Sequence, residues 1–280
     1  FEGLAGVSGR YYHTFEPSSL GARVIPLFEM VYRDCISIYG KYDYDYSAAA
    51  EYVLHHILIG RPLHYHSWRR GLYWKEAPGD EPLGRPYGAS CFIRADGGWA
   101  EGLCLADRFI KNTHEVLSPL HEATAHMAIA KHEFVTPDCR VERVAFGGDV
   151  EAIVNKGTDR SADYLHASRM GGKVLLPPYG FVIESPTFVA FHALSWDGRE
   201  YDEPALFTIR SLDGKPLHHR RLHRGVPGPL ADAQQTAVAG RAAVEPGRGG
   251  VDEHLVEVVM TMPFQKLSRN SRIIDDRPHH

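Results

Sequence analysis

The sequence predicts two architectures in series: an α/β region of parallel βα units, then an antiparallel β-sandwich. Three observations carry this. The run from Arg23 to Asp34 places Val24, Ile25, Leu27, Phe28, Met30 and Val31 with no polar face between them, which is the pattern of a strand covered on both sides. A helical stretch and a second β-prone run follow within the length of one βαβ unit, which implies parallel strands and a crossover. From His132 onward, short β-prone runs alternate with glycine turns and no helical stripe intervenes.

The elements follow in order. Residues 1–22 are irregular and read as a loop leading to the first strand, 23–34. A Tyr/Asp-rich loop, Lys41 to Tyr46, precedes Ser47, an N-cap for a helix through Tyr52, Val53, Leu54, Ile57 and Leu58 that Gly60 stops. Arg61 to Trp68 reads as the second strand. Residues 69–99 form a long loop rich in glycine, proline and aromatics, of the kind that more often serves function than filler. Leu103, Ala106, Phe109, Ile110, Val116, Leu117 and Leu120 make a helical stripe, and Pro119 is expected to kink or break it. Strands are expected at 140–146, 150–155, 173–183, 188–196 and 205–210, with Asp197-Gly198 and Asp213-Gly214 as hairpin signals and a last strand within 254–262. The expected domains are 1–127, 128–265 and a polar, disordered tail at 266–280.

Bulk properties narrow the function. The net charge of −4 argues against a nucleic-acid protein, and no apolar run is long enough to span a membrane. The four cysteines contain no CxxC pair, so no zinc ribbon or thioredoxin-type motif is signalled, and no cofactor is expected. Their spacing leaves the compartment open. The chain opens at Phe1 without Met or a signal peptide, which reads as a cut, and a secreted or periplasmic parent remains compatible.

Within this frame, chemistry is expected where parallel strands end. Asp34 closes the first run and is the carboxylate singled out, either facing sugar hydroxyls and oxocarbenium-like charge or held in an ion pair with an arginine. Glu29 sits deeper; a structural pair is the first expectation and a catalytic acid/base the second. His64 and His66 share one strand face; without an HExxH or completing carboxylate, a metal is not expected there. His66, Trp68, Tyr73 and Trp74 suit contact with sugar hydroxyls and stacking on sugar C–H faces, with packing beneath the loop as the alternative.

The run Ile25-Pro-Leu-Phe-Glu-Met-Val-Tyr-Arg-Asp-Cys35 resembles a late strand of (β/α)8-barrel glycoside hydrolases grouped around endo-α-N-acetylgalactosaminidase and its bacterial relatives. Arg61-Pro-Leu-His-Tyr-His66 is similar to their closing strand, His114-Glu-Val-Leu-Ser-Pro-Leu-His121 to the final helix, and Phe134-Val-Thr-Pro-Asp138 to the start of the β-domain. Leu176-Pro-Pro-Tyr-Gly-Phe181 and Phe188-Val-Ala-Phe-His-Ala193 resemble strands of that β-domain. Arg33 stands where the family pattern has His. The resemblance implies the C-terminal part of a TIM-type barrel followed by a β-sandwich, whose N-terminal barrel half and main catalytic carboxylates lie upstream. It also implies a carbohydrate substrate that Tyr32, Arg33, Asp34, His66 and Trp68 would position. The alternatives are a non-catalytic carbohydrate-binding module and, last, a metal-dependent hydrolase using His64 and His66. No catalytic constellation is legible in the β-domain, so its expected role is structural.

Overall fold

The computed structural model describes residues 25–35, 40–41, 49–64, 92, 102–158, 160–217 and 256–261. The first apolar run departs from expectation: Leu27–Tyr32 is a helix, α1, and not a strand. Its buried positions are Pro26, Glu29 and Arg33, while Ile25, Leu27, Val31 and Tyr32 are exposed. A spacing of three and four is helical, and two of the three buried positions are charged, with Met30 packed against the core beside them. Counting apolar residues could not reveal this, because a short apolar run carries no period of its own.

The βαβ unit is present but begins later. Strand β1 (Gly40–Lys41) pairs in parallel with β2 (Leu63–His64), Gly40 opposite Leu63 and Lys41 opposite His64. Helix α2 (Ala49–Ile59) crosses between them. Gly60 ends α2 with φ +58°, the left-handed conformation that glycine adopts without strain. Helix α3 (Leu105–Thr124) runs through Pro119 without interruption, so the expected break is absent. Its buried Phe109, Val116, Leu117 and Leu120 hold one face against the core, and that burial outweighs the backbone bond a proline removes.

The rest is one antiparallel sheet that curls into a half-barrel, where two separate sheets were expected. Its strands are β3 (Ile129–Phe134), β4 (Val141–Phe146), β5 (Val150–Asn155), β6 (Tyr164–Ala167), β7 (Lys173–Leu176), β8 (Phe181–Glu184), β9 (Phe188–Trp196), β10 (Arg199–Ser211) and β11 (Val256–Thr261). The main order is β11-β10-β9-β8-β5-β4-β3. The β6–β7 hairpin leaves this path and joins the far end of β9, Val174 opposite Trp196. Strand β9 thus serves two neighbours on one edge: its first half pairs with β8 and its second with β7. That division is how a long strand carries a sheet around a corner.

Turn chemistry accounts for most joints. Asp197 and Gly198 both have positive φ, +46° and +79°, and close β9 onto β10 as a two-residue hairpin turn. The expected single strand 173–183 is broken by Pro177-Pro178-Tyr179-Gly180, where the Gly180 N–H bonds the Pro177 carbonyl at 2.8 Å. A side chain at Gly180 would meet Pro177 at 2.7 Å and the His192 carbonyl at 2.9 Å, so only glycine fits.

Both faces of the sheet are apolar. On one, Val144, Phe146, Ala152, Val154, Phe181 and Ile183 pack with α2, α3 and Phe92, whose ring stacks on Phe181 at 5.8 Å. On the other, Val141, Ile153, Val182, Phe191 and Phe207 pack with Val174, Leu176 and Trp196. The first core joins residues on both sides of position 127, so helices and sheet share one interior. A fully buried phenylalanine contributes about 2–3 kcal/mol relative to exposure, which is ample to fix α2 and α3 on the sheet.

Candidate functional site

Four of the residues expected to bear chemistry, Glu29, Tyr32, Arg33 and Asp34, lie on or directly after α1, and Arg33 is the centre of what is built there. It is only 6 % exposed. Its Nε donates to the Ile59 carbonyl at 2.8 Å, and Nη2 to the Gly60 carbonyl at 2.9 Å and to Thr124 Oγ1 at 2.6 Å. Nη1 donates to the Met127 carbonyl at 2.7 Å and also to that of Thr124. These carbonyls close α2 and α3, whose C-terminal ends carry partial negative charge and attract a cation. The guanidinium also lies 4.8 Å from the Phe146 ring centre. Burial lowers its pKa to about 10, so it stays charged at neutral pH. Gly60 passes so close that a Cβ there would come within 2.5 Å of Nη2. Arg33 thus replaces the expected histidine with a fork that ties two helix ends to α1.

Glu29, one helical turn before Arg33, is buried and accepts a charge-assisted bond from Arg61, itself 3 % exposed. The pair joins α1 to the loop that precedes β2. The same loop engages His56, whose Nδ1 meets the Arg61 carbonyl at 2.9 Å and therefore carries the proton. Burial, with Arg61 nearby, depresses the His56 pKa to about 3, and burial holds His55 well below its usual value. Both rings are neutral packing groups at pH 7.

Asp34 and Tyr32 are exposed. Asp34 follows a helix, not a strand tip, and among the described residues accepts a hydrogen bond from the Cys35 thiol at 3.3 Å. That bond pushes the Cys35 thiol pKa up. The Tyr32 ring leans on Phe28 at 5.0 Å. His64 occupies the second position of β2, opposite Lys41. His66, Trp68, Tyr73 and Trp74 lie outside the described residues, so the expected hollow shared by Asp34 and His66 does too.

A group of donors in the sheet was not legible in sequence. Glu151, His166 and Glu184 offer side-chain atoms within 4.8 Å of one another. They come from β5, β6 and β8, separated in the chain by spacings that match no motif, and only strand register brings them together. The one available signal was Glu184 ending an apolar strand, where a carboxylate demands partners.

Compared with known proteins, the chain matches no family model and no curated protein.

Proposed function

We propose that the chain is part of a glycoside hydrolase, in which its βαβ unit supplies sugar-positioning residues from late barrel strands. The observation that supports this is the parallel pairing of β1 and β2 across α2, followed by α3 and the antiparallel sheet. A barrel of this kind needs eight parallel strands, so the reading includes further parallel strands beside this pair. Catalysis would then proceed by protonation of the leaving oxygen and attack at the anomeric carbon, with both carboxylates on those other strands.

In this reading the labour divides between neighbours. Glu29 and Arg33 are committed to Arg61 and to the helix ends, and they set the position of the exposed Tyr32 and Asp34. His64 marks the carboxyl end of β2, where parallel-strand enzymes place substrate, and His66, Trp68, Tyr73 and Trp74 follow it to meet the sugar.

Titration of the chain with a panel of oligosaccharides, followed by tryptophan fluorescence, tests the reading. Saturable binding weakened at least about tenfold by Trp68→Ala is expected, since loss of a stacking ring removes roughly 1.5 kcal/mol or more. Binding indifferent to Trp68→Ala but lost on substitutions in the antiparallel sheet would point to a binding module, and no sugar binding at all would remove the carbohydrate reading.

A further inference from the structure

We propose that Glu151, His166 and Glu184 form a binding site for a divalent transition-metal ion of the zinc or manganese class. Register supplies the first argument. Glu151 and Glu184 are direct partners across β5 and β8, so their side chains leave the same face of the sheet. Like charges directly opposite one another are unfavourable unless a cation lies between them.

His166 supplies the second. It reaches toward this pair from β6, is 7 % exposed, and its Nε2 is fully buried without a hydrogen bond among the described residues. The nearest acidic atom, Glu184 Oε2, is 3.6 Å away, too far for a hydrogen bond yet suited to an ion held between the two. A buried imidazole nitrogen beside a carboxylate, with no hydrogen bond among the described residues, is an incomplete arrangement.

The third argument is the support behind Glu184. Ser168 Oγ donates to its Oε1, the Met170 N–H approaches the same oxygen at 3.3 Å, and the Arg169 N–H donates to Oε2 at 3.1 Å. Each carboxylate oxygen has two acceptor positions, so Oε2 keeps one for a metal. Outer bonds of this kind orient metal ligands. Arg143 lies near enough to feel Glu151, but its Nε and Nη2 are bonded to Glu133. One imidazole and two carboxylates select a borderline ion over calcium or magnesium, and leave a fourth position open.

Chain stripped with a chelator and then titrated with zinc by calorimetry decides the matter. One equivalent is expected to bind at micromolar or lower dissociation constant, and Glu151→Gln, which leaves the bonds around Glu184 in place, should weaken it at least about tenfold, a cost of roughly 1.4 kcal/mol. His166→Ala should abolish that equivalent, with circular dichroism confirming the fold. Zinc that binds unchanged in both variants would belong to other histidines, such as His218, His219 and His223, and would overturn the site. So would a folded wild-type chain that takes up no zinc.

Discussion

Arg33 and His166 are both buried basic groups, one in the helical region and one in the sheet, and the molecule treats them oppositely. All three guanidinium nitrogens of Arg33 are spent on the carbonyls and hydroxyl that end α2 and α3. His166 sets its Nε2 3.6 Å from a Glu184 carboxylate oxygen and makes no hydrogen bond through it among the described residues. A buried polar group whose bonding is filled holds structure together, whereas one left unfilled among donors of the right kind waits for a ligand. By that criterion Arg33, which the sequence nominated to touch substrate, is a structural clamp. The unnominated triad is the better candidate for binding.

The comparison can be broken most directly at Arg33. Arg33→Ala leaves four helix-end carbonyls without their cation, and should destabilise the chain by about 4 kcal/mol, read by urea denaturation. A loss below about 1 kcal/mol would mean the clamp is incidental. Acid gives the next effect. His56 and His192 are buried and neutral, with pKa values lowered to about 3 and about 4, burial being the main cause in each. Their folded values lie below the unfolded one, so the unfolded chain gains protons first. Stability should therefore fall as pH drops through about 6.5, by about 2 kcal/mol per ring at pH 5. A flat stability profile between pH 7 and 5 would contradict the buried, neutral placement of these rings.

The smallest effect sharpens the comparison inside the sheet. Tyr201 is buried against Phe191, its hydroxyl has no hydrogen bond among the described residues, and burial raises its pKa to about 12. Among the described residues Tyr201 belongs to no group of metal-ligating side chains. Tyr201→Phe should change stability by no more than about 0.5 kcal/mol, in the stabilising direction, because it removes a desolvated hydroxyl that gains nothing. A clear loss in thermal denaturation would reveal a partner for the hydroxyl.

Much of the sheet could be read from the chain because its signals are local. Strands β4, β5 and β9 fall at or within a residue of their expected bounds, and Asp197-Gly198 makes the turn that such a pair favours. The last strand, β11, lies inside the stretch proposed for it. Helix α2 and its glycine stop were equally plain. Strand β6 is four residues long with one buried side chain among them, too short an alternation to be recognised.

What composition and spacing determined, then, was an α/β beginning, an antiparallel continuation, and the places where the chain must turn. Each depends on dihedral preference or on side-chain alternation over a few residues, and these act before any distant contact forms. Tertiary structure decided that 27–32 coils, because the bonds that bury Glu29 and Arg33 come from Arg61 and from the ends of α2 and α3. It also decided that Glu151, His166 and Glu184 meet, since register between strands distant in the chain is set by packing on both faces of a curled sheet, and no run of neighbouring residues encodes that distance.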